Sequence, residues 1–264
     1  MLDYEFESSS DTGFVGIGSI LSDVYVARYA KRIVFGAGVR RPGRVPDLAK
    51  GSWDFRFVRG PLSAKACGGV PYISDPAILA PLRFEEGRHR NGFTGGTETG
   101  FVRYFKSPRS QAKAICEELG MVELDPTFSP DEFLSRLSRC RRVVSEAMHG
   151  AILADAFRIP WVGIRLNSDR HEGRTAGFKW RDWAFSLELP ASVVPPSRPL
   201  NLLPYPIRMR IGPSPTTGQA IAKVRAASAA NAFHLSDTSV LRKRQAQIMS
   251  EITRLKKELG PARS

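Results

Sequence analysis

Residues 107–165 read SPRSQAKAICEELGMVELDPTFSPDEFLSRLSRCRRVVSEAMHGAILADAFRIPWVGIR, and their pattern decides the fold class. Ser107 is a candidate N-cap with Pro108 at the first helical position. Ala112, Ile115, Cys116 and Leu119 then mark one face of a helix that stops at Gly120. Ser129-Pro130-Asp131-Glu132 has capping-box spacing, and the helix behind it turns Phe133, Leu134 and Leu137 inward. Short apolar runs lie between and after these helices, at Met121–Leu124, Arg142–Ser145 and Trp161–Arg165. Helix and strand alternating on short links predict a parallel sheet covered on both faces, so the chain is α/β.

The same grammar extends towards the N-terminus. Phe14–Ser19 and Ile33–Gly38 each read as a strand running into a glycine turn. Phe55–Val58 is another strand, ending at Arg59-Gly60-Pro61, where Pro61 opens a helix because its missing N–H is not needed there. Tyr72-Ile73 is again a strand end, followed by a helix-start signal at Ser74-Asp75-Pro76. The expected organisation is a shortened Rossmann-like lobe over 1–86, a Gly-rich linker over 87–100 and a second Rossmann-like lobe over 101–190. A Pro/Ala-rich tail follows over 191–238, with eight prolines between Pro190 and Pro215 and a helix candidate at Gln219–Ala232. Residues 239–260 form an amphipathic helix candidate. Leu241, Ile248 and Leu255 recur every seven residues, with Ile252 and Leu259 on the adjoining line. Such a seam serves either an appended helix packed on its own domain or self-association through 241–259.

Composition narrows the classes. A hydrophobic fraction of 42% in 264 residues supports a buried core. No apolar run reaches the roughly 18 residues of a transmembrane helix, and the acidic start MLDYEFESSS has no signal-peptide core. Cys67, Cys116 and Cys140, odd in number and widely spaced, suit free thiols in a reducing, cytoplasmic setting. The formal charge of +13 is unevenly held: residues 191–264 carry 12 Lys+Arg against 3 Asp+Glu, and residues 1–190 carry 27 against 23. The body is thus nearly balanced, which argues against specific nucleic-acid binding. The basic tail suits peripheral contact with the inner face of the cytoplasmic membrane.

Ligands of open parallel sheets bind beyond the carboxyl ends of the strands. Gly16, Gly18, Ser19, Gly36 and Gly38 follow strands and are candidate anion-cradling turns, or simply the tight turns of any α/β protein. Arg59, at a strand end four residues before Ser63, presents a planar fork for phosphate or carboxylate, or else pairs with a neighbouring acid. The strongest local signal is Val143-Val144-Ser145-Glu146-Ala147-Met148-His149-Gly150-Ala151-Ile152. There an apolar strand ends, a polar turn follows, and His149 opens an apolar helix. A histidine so placed can exchange a proton as an anionic substrate comes and goes, or can simply fill the turn. Residues 167–183 add Arg170, His171, Arg174, Lys179, Trp180 and Trp183, a mixture able to clasp a charged donor or stack on a sugar, or to form a solvated, tryptophan-anchored loop. No Asp-x-Asp, His-x-x-x-His, paired Cys or P-loop occurs, so no metal is expected.

Taken in order, several segments resemble the polysaccharide pyruvyl transferase family, especially members acting in succinoglycan-type exopolysaccharide synthesis. They are residues 15–21, 34–39, Trp53–Ser63, Asp75-Pro76-Ala77, Asp125-Pro126, Ser145–Ala151 and Lys179–Ala184, collinear over about 14–190. The resemblance implies a two-lobed, GT-B-like fold and transfer of a pyruvyl group from phosphoenolpyruvate to sugar hydroxyls, commonly as a ketal, with release of phosphate. Phosphoenolpyruvate would be a co-substrate, with no cofactor, and the acceptor a lipid-linked or polymeric carbohydrate. Matched residue by residue, His149 is the implied catalytic group and Arg59 and Lys179 the donor-binding cations. Ser63, Ser145 and Gly150 lie in the matched donor-side segments. Tyr104 stands where relatives tend to carry a Pro-His pair, and with Arg174 and Trp180 is a candidate on the acceptor side. Relatives also open with a further strand and an Asn-Phe-Gly-Asp-like turn, so the first lobe is expected to lack one β-α unit. A GT-B-like glycosyltransferase using a nucleotide-sugar, and a non-catalytic relative acting in binding or assembly, are the alternatives.

Overall fold

Apolar runs that end in glycine or polar turns form the strands, and every strand pair among the described residues is parallel. The computed structural model describes residues 11–82, 96–167, 171–172, 174–196, 214–230 and 232–259, with Arg174 described for its backbone. The chain divides into two units, and neither is continuous in sequence. Unit 1 takes Met1–Leu79, Phe178–Ala191 and Ser236–Ser264, and unit 2 takes Ala80–Gly177 and Ser192–Leu235.

In unit 1, strands β1 (Thr12–Val15), β2 (Lys31–Phe35) and β3 (Ser52–Phe57) pair in that order. The register sets Val15 beside Val34 and Val34 beside Phe55. The short helix α1 (Asp23–Val26) links β1 to β2, and α2 (Pro61–Ala66) follows β3 with Pro61 in its first turn, as its missing N–H favours. Val15, Leu21, Val34, Val39, Val58 and Cys67 form the core. The predicted strand at Tyr72-Ile73 reduces to a single bridge between Val58 and Tyr72.

In unit 2 the sheet runs β5–β4–β6–β7, built from β4 (Glu98–Val102), β5 (Val122–Leu124), β6 (Cys140–Ser145) and β7 (Trp161–Gly163). Helices α3 (Arg109–Leu119), α4 (Pro130–Leu137) and α5 (Met148–Ala156) supply the crossovers. The mixed α/β class and parallel sheets are those read from the sequence. Phe101, Ile115, Val144, Ile164 and Leu166 form the core with Ala220 and Val224 of α7 (Thr217–Ala229), which opens on a capping box between Thr216 and Gln219. Glu98–Gly100, read as the end of a linker, pair in β4; residues 87–95 of that linker lie outside the described residues.

Helix α6 (Arg174–Ser186) carries the boundary between units, at Gly177/Phe178. The continuous lobe read over 101–190 therefore differs from the observed division, because Phe178 joins the core of unit 1. Helix α8 (Thr238–Leu259) also belongs to unit 1. Its seam of Leu241, Ile248, Ile252 and Leu255 is buried within the chain, while Gln245 Nε2 donates to Ile78 O at 2.8 Å and Arg244 Nε to Ser186 O at 2.9 Å. An already buried seam is no open dimerisation face, so self-association through 241–259 would need another face of the helix.

Candidate functional site

Each strand of the second sheet is followed by a polar residue beyond its C-terminal end, and hydrogen bonds, some through Ser107 and main-chain amides, link these residues into a row. After β5 comes Asp125, after β4 Arg103, after β6 Glu146 and after β7 Asn167, all four buried. The Arg103 fork closes on Asp125, with Nε and Nη2 each donating at 2.9 Å, and Nη1 donates to the carbonyls of Phe105 and Ser107 at 2.8 and 3.0 Å. Burial disfavours the charged form of Asp125. Hydrogen bonds from Arg103 and Thr127, with the guanidinium charge, outweigh it and bring the carboxyl down to about 2.

Glu146 is the centre of the row. Its Oε2 accepts from Tyr104 N at 3.0 Å and Ser107 Oγ at 2.7 Å, and its Oε1 from Leu166 N at 3.1 Å and Asn167 N at 2.6 Å. One carboxylate thus ties the segment after β4 and the segment after β7 to the end of β6. Asn167 Nδ2 then donates to Gln111 Oε1 at 2.8 Å, and Gln111 Nε2 to Pro215 O at 2.9 Å. Ser107, read as a helix cap, gives its hydroxyl to Glu146 instead, and Pro108 is the N-cap of α3.

His149 lies in the first turn of α5, half-buried, three residues beyond Glu146. The turn before it is fixed by Ser145 Oγ, which donates to Ala147 O at 2.6 Å. Gly150 is required there: a Cβ would collide with Ser145 Oγ and lie 2.8 Å from Val102 Cγ1. Tyr104 is buried, and its ring stacks on His171 at 5.9 Å and 27°. His149, Ser145, Gly150 and Tyr104 are thereby gathered in unit 2 at the end of the sheet where ligands of parallel sheets bind.

Unit 1 holds the other expected cations differently. Arg59 is completely buried. Its Nε donates to Asp182 Oδ2 at 3.1 Å, Nη1 to Ser19 Oγ at 2.8 Å and Nη2 to Val39 O at 3.4 Å. Ser63 donates to the same carboxylate through its N–H at 2.8 Å and its hydroxyl at 2.6 Å, and its Oγ accepts from Val39 N at 3.0 Å. Gly60 lets α6 approach this closely, because a Cβ there would collide with the Asp182 carbonyl. Lys179 stands three residues before Asp182 on α6 and is half-buried.

The candidate anion turns are engaged within the fold. Gly36 N donates to Phe57 O and Gly38 N to Gly18 O, both at 2.8 Å, so these two amides bind backbone. Gly16 and Gly18 lie in the turn after β1, with Gly18 at φ 115°. Trp180 is fully buried and edge-on to Trp183 at 6.2 Å, so it offers no ring face to a sugar in this conformation. The side chain of Arg174 and residue Arg170 lie outside the described residues. Among the described residues no group of three His, Cys, Asp or Glu side chains is arranged to hold a metal ion, and no helix is long and apolar enough to cross a membrane.

The motifs legible in the sequence contain Glu146 and Asp182, and adjoining segments contain Arg103, Gln111 and Asn167, but the local pattern assigns none of the five a role. Position was the available signal for Glu146 and Arg103, each the first polar residue after an apolar strand. Nothing local marks Asp182 as the partner of Arg59, 123 residues away.

The model of the family described as polysaccharide pyruvyl transferase matches residues 8–168. The chain is also similar to the succinoglycan biosynthesis protein ExoV of Rhizobium meliloti (strain 1021), 34% identical over 182 residues. That alignment covers 67% of this chain and 54% of the relative, so the chain spans about half the length of the curated protein it matches. No solved structure matches.

Proposed function

The chain belongs to the polysaccharide pyruvyl transferase family, and from that premise we propose that it transfers the pyruvyl group of phosphoenolpyruvate to two hydroxyls of a sugar in an exopolysaccharide repeat. One observation carries the reading: His149 stands in the first turn of α5, at the C-terminal edge of a parallel sheet whose strand ends are locked together by buried polar side chains. A proton-handling group held by a rigid floor is what the chemistry requires.

In the proposed reaction the enol methylene takes a proton and becomes a methyl group, leaving C2 electrophilic. Two sugar hydroxyls form bonds to C2 in turn, and the bond from C2 to the phosphate oxygen breaks. One hydroxyl proton replaces that delivered to the methylene, and the other leaves with phosphate. His149 is the proposed proton carrier. Lys179 is the proposed donor-binding cation, and the N-terminal amides of α5 favour an anion beside them. Because Arg59 is buried against Asp182, its proposed part is to hold α6, and so Lys179, in place. A GT-B-like arrangement, a lipid-linked or polymeric acceptor and cytoplasmic action belong to the same proposal.

Donor binding tests it. Phosphoenolpyruvate is expected to raise the melting temperature, and nucleotide-sugars to leave it unchanged. Lys179→Ala should abolish the shift. His149→Ala should keep the shift and lose phosphate release in the presence of acceptor. A shift with nucleotide-sugars alone would select the glycosyltransferase reading, and full phosphate release by His149→Ala would remove the catalytic assignment.

A further inference from the structure

We propose that the solvent face of α8 is a docking surface for an anionic lipid membrane. With Leu241, Ile248, Ile252 and Leu255 turned into unit 1, the opposite side of the helix presents two adjoining lines of seven-residue spacing. One is Arg242, Met249 and Lys256, and the other is Lys243, Ser250 and Lys257; all six are exposed. Ala246 and Thr253 lie between the lines, so nothing bulky separates the cations.

No carboxylate of α8 shares this face. Its two acids, Glu251 and Glu258, lie on the other flank, where Arg254 pairs with both, at 3.5 and 3.2 Å. Arg56 of β3 takes up Glu258 as well, with its Nη1 donating at 2.9 Å. The negative charge of the helix is thus neutralised away from the four cations.

The spacing favours an extended anionic surface over a small anion. Arg242 and Lys243 lie two full heptads from Lys256 and Lys257, about 21 Å along the axis. The exposed Met249 between the cations suits the boundary between headgroup and acyl chain. A nucleic acid is less well served, because the face carries no aromatic ring for base stacking. The helix is also held firmly: Arg244 anchors it to the end of α6, the helix that bears Lys179.

The test is co-sedimentation of the full chain with vesicles of phosphatidylcholine alone and of phosphatidylcholine with one third phosphatidylglycerol. Binding is expected only to the anionic vesicles and should fall as salt is raised. The variant Arg242→Gln/Lys243→Gln/Lys256→Gln/Lys257→Gln should lose about fivefold per charge, on the order of several hundredfold in all. Its helicity and melting temperature should be unchanged, since all four side chains are exposed. A control on the other unit, Lys113→Gln/Arg225→Gln, should bind vesicles as the parent does. Equal binding to both vesicle types, undiminished binding by the fourfold variant, or displacement from vesicles by a random RNA oligonucleotide would each overturn the proposal. The phosphoenolpyruvate thermal shift, read on the same variant, reports on donor binding separately, so either reading can fail without the other.

Discussion

The pairing of Asp182 with Arg59 makes the clearest prediction at the scale of single residues. Both side chains are fully buried, and the carboxylate also receives two hydrogen bonds from Ser63. Removing one member strands the other's charge in the core, so Asp182→Ala is expected to cost about 3–5 kcal/mol in urea unfolding. Asp125 gives a pH prediction. Its folded carboxyl titrates at about 2, below its ordinary 3.8, so its contribution to stability is present above pH 3.8 and is lost as pH falls through about 2. Acid titration of Asp125→Asn should therefore lack the part of the stability loss that the parent shows in that window. The three thiols are chemically quiet: burial raises Cys67 to about 11 and Cys116 and Cys140 to about 12, so slow alkylation of the folded protein is the expected observation.

Elements were the most legible level in the sequence, and the reason is periodicity. The inward face of α4 and the seam of α8 repeat at helical spacing, and burial of Phe133, Leu137, Ile248 and Leu255 follows from it. Truncating that seam should be costly: Ile248→Ala is expected to lose about 2–5 kcal/mol, whereas Ser250→Ala on the opposite face should stay within about 0.5 kcal/mol. Denaturant midpoints of the two variants make the comparison. What local pattern does not encode is partner choice over distance. Ser107 had the spacing of a cap, yet its hydroxyl meets Glu146, 39 residues on, because a buried carboxylate claims nearby donors more strongly than a helix end that Pro108 already starts. The site was legible in part for the same reason. His149 stands out by sitting between strand and helix, while the floor beneath its turn depends on Glu146, whose four partners come from two distant segments, after β4 and after β7.

At the scale of the molecule, charge and connectivity matter more than any one contact. The basic excess of residues 191–264 read from the sequence takes a definite form in α8, where Arg242, Lys243, Lys256 and Lys257 share one face and both acids lie on another flank with Arg254. Unit 1 is assembled from three stretches of chain, with α8 covering core from the last of them. A chain ending at Ser236 would leave Ile78 and its neighbours uncovered, and size-exclusion chromatography is expected to find it aggregated. A monodisperse product with the parent's melting temperature would contradict that.

The discontinuity of unit 1 also sets an order of events during synthesis. Residues 80–177 and 192–235 have all been made before α8 leaves the ribosome, so unit 2 can close on the nascent chain while unit 1 waits. Strands β1–β3, made before unit 2, are finished after it. Until Arg56 meets Glu258 and the seam of α8 arrives, the apolar surface beside Ile78 that α8 covers stays exposed to chaperones, and substitutions that weaken α8 should reduce the yield of folded protein more than they reduce its stability once folded.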